Sequence, residues 1–243
     1  RDRRNALILE KLASLGILAS GVAHEIRNPL TAIKFRLFSL RKALPDVAQS
    51  EDAGIIASEI NRLERIVQDF LQFARPSEPR LAKIPASQIL RDVHQLLRPQ
   101  LERSAIELNI ELQDAVEIFA DAQQIKQVLI NLIQNSAENI GRNGTVMLRL
   151  RTDTADLEGR ERSVVILAVT DTGKGIPPEV ESRLFDPFFT TKEGGTGLGL
   201  AIASRIVEKH GGMLRYKTKL NYGTTFEVVL PGIENDASEH TSD

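Results

Sequence analysis

The chain contains no cysteine and no tryptophan, and only two methionines and two tyrosines occur among its 243 residues. The absence of cysteine excludes disulfide bonds and thiolate metal sites. No apolar run approaches the roughly 18 residues that a membrane-spanning helix needs. An excess of one charge is also lacking, since 31 basic and 33 acidic residues leave a net charge of −2. This balance gives no reason to expect nucleic acid or an anionic membrane as a partner.

The residues that are present suit a folded protein of one or two domains, because 42% are hydrophobic and 26% are charged. The lack of cysteine is consistent with a reducing compartment, and we expect a cytoplasmic location. The chain opens on the charged segment Arg1-Asp-Arg-Arg4, without an apolar signal segment. We therefore expect it to be the cytoplasmic part of a longer protein, with an N-terminal sensor or membrane region that this sequence does not contain.

Residues 1–75 carry helical periodicity and almost no strand signal. One apolar stripe runs from Leu15 to Leu40 at spacings of three and four residues, and a second runs from Ile56 to Phe73. Pro45-Asp46 between them indicates a turn, so the sequence predicts an antiparallel helical hairpin. Two helices bury too little apolar surface to be stable alone. We therefore expect two hairpins to pair into a four-helix bundle, which makes the protein a homodimer.

Residues 76–82 are a predicted linker, and residues 83–232 change character to mixed helix and strand patterns. This region predicts an α+β sandwich of one mixed sheet and a helical layer. Strands are expected at 106–112, 116–120, 145–152, 164–170, 213–218 and 224–230, and helices at 87–98, 121–139 and 197–209. The polar, acidic residues 233–243 are expected to be a disordered tail.

His24 lies in the first helix, about 200° around the helix from Val22 and from Ile26, so we expect its side chain to face solvent. A neutral imidazole nitrogen can attack a phosphorus atom. Glu25 beside it can hold the other ring N–H and take up the proton. Asn28, one turn later, can hold a water for the reverse, hydrolytic chemistry. A lone histidine is more often an ordinary surface residue, so the hypothesis depends on the motifs that follow.

Three asparagines, Asn131, Asn135 and Asn139, recur every four residues along the border of a predicted helix. Asparagine is a poor residue in the middle of a helix, so three in register suggest a function. An amide oxygen can complete the shell of a Mg²⁺ ion held by phosphates and waters. The alternative, a polar helix edge without a ligand, stays open for the triad alone.

Two glycine-containing segments complete the pattern. Asp171 ends a buried-strand run, and its carboxylate can accept a hydrogen bond from the 6-amino group of adenine, where guanine carries an acceptor. Gly173 and Gly175 then allow close backbone approach. The segment Gly194-Gly-Thr-Gly-Leu-Gly199 precedes a helix, and its free backbone N–H groups predict a phosphate cradle.

These segments resemble, in order, motifs of the sensor histidine kinases of bacterial two-component systems. Residues 20–30 resemble the H-box, 131–137 the N-box, 171–177 the G1 box and 184–192 the F-box, and 194–199 form the glycine loop. The resemblance covers the chain from about Leu12 to Pro231. It implies the histidine-kinase and gyrase type of ATP-binding fold behind the hairpin. It also implies an ATP-dependent protein-histidine kinase that phosphorylates itself and passes the phosphoryl group to an aspartate of a response regulator.

The resemblance assigns roles residue by residue. His24 would be the phosphoacceptor, Glu25 would assist, Asn28 would position water when the regulator is dephosphorylated, and Asn135 would bind Mg²⁺. The cofactors would be ATP and Mg²⁺, and the partners a second copy and a receiver domain. The residues expected to bind ATP are Asn131, Asn135, Asn139, Asp171, Gly173, Gly175, Ile176, Phe185, Thr190, Thr191, Lys192, Gly195, Thr196, Gly197, Leu198, Gly199, Leu200 and Thr225.

Within that set, Thr225 is expected to support Asp171, and the residues between Ile176 and Gly194 to form a mobile lid. The lid's phenylalanines are expected to dock it, and Lys192 to meet a phosphate. Its short length resembles the nitrogen-regulation type. Glu138 departs from the family pattern, which often has a basic or aromatic residue near this position; either it points outward or Arg142 and Lys192 supply the positive charge.

Two other functions are open at this point. An ATP-driven clamp of the gyrase or chaperone type would hydrolyse ATP to water, and the His24-Glu25 pair on a dimerising hairpin argues against it. A non-enzymatic dimer scaffold that only binds nucleotide is disfavoured by the full set formed by Asn135, Asp171 and the glycines.

Overall fold

The computed structural model describes residues 2–74, 77–113, 116–157, 159–192 and 195–233, without the side chains of residues 2–22, 45 and 48. Most of the predicted tail and part of the predicted linker lie outside these ranges. Contacts divide the chain into two units. The helical unit comprises Arg1–Ser77 with Thr190–Leu198, and the sheet unit comprises Glu78–Phe189 with Gly199–Asp243.

The helical unit contains α1 (Asp2–Ala43), α2 (Pro45–Gln49) and α3 (Glu51–Ala74). The turn predicted at Pro45-Asp46 is therefore a short helix, α2, which begins at Pro45. Proline is tolerated there because the N–H groups of the first helical turn have no partner within the helix. α1 continues through Pro29. Within the part of the chain that is described, no helix is both long and apolar enough to cross a membrane.

The apolar residues of the hairpin form two separate stripes, each with a seven-residue repeat. The first is buried between the helices, and the second is 41 to 49% exposed. The buried stripe consists of Ala23, Leu30 and Leu37 on α1 with Ala53, Ile60 and Val67 on α3. The exposed stripe consists of Ile26, Ile33 and Leu40 on α1 with Ile56 and Leu63 on α3. One hairpin therefore buries the first stripe and leaves the second one exposed.

The sheet unit contains a five-stranded sheet in the order β2-β4-β5-β7-β6 and a two-stranded antiparallel sheet of β1 and β3. The strands are β1 (Ala82–Pro85), β2 (Ile106–Glu111), β3 (Glu117–Ala120), β4 (Gly144–Leu157), β5 (Arg160–Asp171), β6 (Met213–Lys219) and β7 (Gly223–Pro231). Only β2 and β4 pair in parallel among these neighbours, so the sheet is mixed, as predicted. The β4–β5 hairpin is longer at its turn than the sequence predicted.

The helices of this unit are α4 (Ala86–Glu102), α5 (Ala122–Ile140), α6 (Pro178–Glu181) and α7 (Gly199–Lys209). The Asp121 carboxylate accepts hydrogen bonds from the backbone N–H groups of Gln123 and Gln124, so it caps α5 as predicted. Leu132 of α5 and Leu148 and Leu167 of the sheet are fully buried. Burial of these side chains joins the helices and sheet into an α/β sandwich.

Candidate functional site

His24, Glu25 and Asn28 are all exposed on α1, next to Ala23 and Leu30 of the buried stripe. The predicted orientation of His24 toward solvent is therefore confirmed. An exposed imidazole on a continuous helix can be reached by a nucleotide or by another protein. The structure leaves the roles predicted for Glu25 and Asn28 as predictions.

Asp171 ends β5 and is buried, with 3% of its surface exposed. Its Oδ1 accepts hydrogen bonds from the backbone N–H of Gly173 at 2.9 Å and of Thr224 at 3.2 Å. Its Oδ2 accepts a hydrogen bond from the Ser136 hydroxyl of α5 at 2.9 Å. Donors from the turn, from β7 and from α5 thus hold one carboxylate. Neither Ser136 nor Thr224 was predicted from the sequence as a partner of Asp171.

The support that was predicted for Asp171 from Thr225 comes instead from its neighbour, so that prediction was wrong. Thr225 Oγ1 lies 3.0 Å from Thr170 Oγ1 and pairs with Thr170 across the strands. Neighbouring residues of a strand point to opposite faces. Thr225 therefore lies on the face opposite to Asp171, whereas Thr224 is 3% exposed and donates its N–H to the carboxylate.

The turn after Asp171 leaves no room for side chains at two glycines. At Gly175 the backbone has φ +73°, and an added Cβ would lie 2.4 Å from the Lys219 carbonyl oxygen. At Gly223, on the strand that supports Asp171, φ is +118° and a Cβ would lie 1.8 Å from the Asp171 carbonyl oxygen. Both positions require glycine, as the sequence predicted for the first of them.

The asparagine edge of α5 lies between two other predicted site segments of the sheet unit. Asn131 Nδ2 donates to the Gly199 carbonyl at 3.4 Å, where α7 begins. A Cβ added at Gly173 would lie 2.7 Å from Asn139 Nδ2. Asn135 lies on the same helix edge, midway between them, and is half-buried. The edge therefore connects the start of α7 with the turn after Asp171.

Glu138 is exposed. The two alternatives left open for it, an outward orientation or a positive charge from Arg142 and Lys192, stay predictions.

The first part of the predicted lid is held on the edge of the sheet by aromatic side chains. The Phe185 ring lies 5.9 Å from that of Tyr216 on β6, which in turn lies 6.0 Å from Phe226. The Tyr216 hydroxyl donates to Glu181 at 3.2 Å; burial, with Glu181, raises the pKa of Tyr216. The backbone N–H of Ile176 donates to Thr218 Oγ1 at 2.8 Å. Docking by Phe185 is confirmed.

The end of the predicted lid and most of the glycine loop after it fall within Thr190–Leu198, which belongs to the helical unit. Thr196 Oγ1 donates to Asp69 of α3 at 3.0 Å and accepts a hydrogen bond from the Leu198 N–H at 3.2 Å. Burial raises the pKa of Asp69 and outweighs the opposing effects of Thr196 and Arg65. Thr190, Thr191, Lys192 and Gly195 are exposed, Thr196 and Gly197 are half-buried, and Leu198 is buried. Their phosphate-binding role, and that of Gly199 and Leu200 at the start of α7, stays a prediction.

Residues 14–79 match the family model of the His Kinase A (phospho-acceptor) domain. Residues 120–233 match the model of the histidine kinase-, DNA gyrase B- and HSP90-like ATPases. The sensor histidine kinase ZraS of Salmonella typhimurium is 37% identical over 226 residues, which cover 92% of this chain and 47% of ZraS.

Two solved structures extend the likeness to the fold. Full-length ShkA in complex with AMPPNP has a TM-score of 0.72 and 26% identity, over 88% of this chain and 46% of ShkA. Histidine kinase ThkA in complex with the response regulator protein TrrA has a TM-score of 0.63 and 31% identity, over 92% of this chain and 63% of that one.

A phosphoacceptor segment followed by an ATPase segment defines a class of two-part phosphotransfer proteins. Within that class, the chain belongs to the sensor histidine kinases of two-component systems. It spans between about a third and a half of the length of the curated relatives that it matches.

Proposed function

We propose that this chain is the kinase portion of a sensor protein, and that it transfers the γ-phosphoryl group of ATP to His24. In this proposal residues 1–75 are the dimerisation and histidine phosphotransfer domain, residues 76–82 the linker and residues 83–232 the catalytic ATP-binding domain, all on the cytoplasmic side. The observation that carries the proposal is the buried Asp171 carboxylate, held by donors from three elements beside the asparagine edge of α5.

Nucleotide binding would begin with adenine. The Asp171 carboxylate can only accept hydrogen bonds. It therefore suits the 6-amino group of adenine, which donates, and repels the 6-oxo group of guanine, which accepts. The amide oxygen of Asn135 is a hard neutral ligand, which fits Mg²⁺ bound mainly by phosphate oxygens. Among the described residues, no three His, Cys, Asp or Glu side chains are grouped to hold a metal ion themselves. A bound Mg²⁺ would neutralise the charge of the transferring phosphoryl group.

The phosphoryl step needs an accessible nucleophile and a proton acceptor. An imidazole nitrogen of His24 attacks the γ-phosphorus; an N–P bond forms, and the bond from phosphorus to the bridging oxygen of ADP breaks. The other ring nitrogen gives its proton to the carboxylate of Glu25, which adjoins His24 and is exposed like it. The phosphohistidine then serves as donor to an aspartate carboxylate of a receiver domain.

A receiver domain that takes the phosphoryl group has to lie against the exposed face of α1 that carries His24. Phe35 and Phe38 lie within about 40° of His24 around that helix, and they are 66% and 64% exposed. Neither phenylalanine belongs to the buried stripe or to the exposed stripe. We place the receiver over these two rings, and in this proposal Asn28 on the same face would hold the water of the reverse reaction.

The experiment that tests the function is incubation with γ-labelled ATP and Mg²⁺, followed by treatment of the labelled protein with acid and with base. Label that survives base and is lost in acid is phosphohistidine. His24→Ala is expected to abolish this label and to retain ATP binding. Label still incorporated by His24→Ala would reject the assignment, and steady phosphate release with no labelled protein would favour the ATP-driven clamp.

A further inference from the structure

We infer that Ser136 is a positioning residue for Asp171. It orients the carboxylate oxygen that would accept a hydrogen bond from the amino group of adenine. Ser136 lies on α5, directly after Asn135, and is 1% exposed. Its hydroxyl donates to Asp171 Oδ2 at 2.9 Å. The inference rests on the proposed ATP-binding function and adds to it the residue that shapes base selection.

The two oxygens of Asp171 differ in how many donors they have. Each carboxylate oxygen has two acceptor positions. Oδ1 accepts two backbone N–H groups, those of Gly173 and Thr224, so both of its positions are filled. Oδ2 accepts one hydrogen bond, from Ser136. The second acceptor position of Oδ2 is therefore the one that a nucleobase amino group would use.

Ser136 acts on this oxygen from a side that the other donors do not cover. The two N–H groups come from the turn after β5 and from β7, while Ser136 comes from the helix packed on the sheet. Without its hydroxyl, Oδ2 would have two open positions, and a water could occupy either of them. The carboxylate would then be held through Oδ1 alone, and the amino group of adenine would meet a less ordered acceptor.

The test compares two ligands that differ only at the 6-position. ATP carries the amino group that Asp171 would bind, and purine riboside triphosphate carries hydrogen there. Ser136→Ala is expected to bind ATP about tenfold more weakly, the size typical of losing one hydrogen bond to a charged group. Its affinity for purine riboside triphosphate is expected to change less than about twofold. Calorimetric titration of the whole chain with each ligand gives both numbers.

Two further variants control the comparison. Ser204→Ala removes a hydroxyl that bonds Glu208 within α7, and is expected to leave both affinities unchanged. Ser136→Cys keeps a weak donor of similar size, and its ATP affinity is expected to lie between those of the wild type and Ser136→Ala. Thermal unfolding shows whether each variant is folded.

The outcomes separate the inference from the function on which it rests. Equal losses for both ligands would show that Ser136 only packs, and an unchanged ATP affinity would show that it does not matter; either result overturns the inference and leaves ATP binding intact. A wild-type chain that binds both ligands equally would overturn the base-reading role of Asp171 itself. Failure of the wild type to bind either would overturn the proposed function as well.

Discussion

At the scale of single residues, Asp171 shows how the fold tolerates a buried charge. A carboxylate removed from water is costly unless donors replace the water. Three donors do so here, at 2.9 to 3.2 Å, and they come from separate parts of the chain. The strand-end position and the following glycines predicted Asp171 as a functional residue. Its donors were not predictable, because Ser136 and Thr224 reach it only through the packing of α5 and the register of β7.

Asn135 is the residue whose predicted role depends most on a metal ion. We expect Asn135→Ala to weaken ATP binding about tenfold, or about 1.4 kcal/mol, when Mg²⁺ is present. ATP binding measured with a chelator that removes Mg²⁺ is expected to be the same for the variant and the wild type, because the interaction lost in the variant is with the ion. Asn109→Ala removes an asparagine from β2 and is the matched control. An equal loss with and without Mg²⁺ would assign Asn135 to the nucleotide and not to the metal.

At the scale of elements, the strand β7 depends on its first residue. Gly223→Ala places a methyl group against the Asp171 carbonyl at φ +118°. We expect it to lower the free energy of unfolding by more than about 2 kcal/mol, from backbone strain and the clash together. Gly159 is the control, since its φ is +77° and nothing lies within 4 Å of an added Cβ. Urea unfolding that shows equal losses for the two variants would mean that the contact at β7 relaxes.

Glu227 of β7 makes the sheet sensitive to acid. Burial raises the pKa of Glu227, but hydrogen bonds from Arg215 and Arg151, at 2.7 and 2.9 Å, outweigh it, so the pKa lies below its ordinary 4.5. A carboxylate whose pKa is lower in the folded than in the unfolded state stabilises the fold at pH values above its unfolded-state pKa. That stabilisation is lost as the pH falls through its folded-state pKa.

We therefore expect wild type and Glu227→Gln to differ most in unfolding free energy near neutral pH, and the gap to close as the pH falls below about 4.5. Glu161→Gln removes an exposed carboxylate of β5 and serves as the control. Denaturant titrations at several pH values measure the gap; a gap that stays constant would mean that the ion pairs with the arginines do not contribute through ionisation.

The elements differ in how far periodicity predicts them. α5 and its cap at Asp121 were predictable, because a strong apolar repeat follows a capping residue. β1, α2 and α6, which have four or five residues each, were not predicted, whereas β3, with four, was. The strand β7 was predicted, but the wrong threonine, Thr225 in place of Thr224, was assigned to Asp171, because the choice depends on the pairing register with β5.

At the scale of the whole molecule, the hairpin has one apolar stripe inside and one outside. The sequence predicted that the apolar surface of the hairpin needs a second copy. It did not separate the two stripes, because two interleaved seven-residue repeats together give spacings of three and four. Their separation is visible only once α1 and α3 are paired. Ile33 and Leu63 remain 49% and 44% exposed in a single chain. We propose that a second copy covers this stripe and completes a four-helix bundle.

Leu63→Glu tests the dimer, because this side chain is exposed in one chain and the charge would cost little there. In a bundle the same charge would be buried without a partner, so we expect dissociation to monomers in sedimentation equilibrium. Ser58→Glu adds the same charge on the opposite side of α3 and is expected to leave the dimer intact.

The phosphohistidine label is expected to fall in Leu63→Glu while ATP affinity stays unchanged, since Asp171 and the asparagine edge belong to the other unit. If Leu63→Glu remains dimeric, the exposed stripe is not the interface, and the second copy has to be sought on another face of the hairpin.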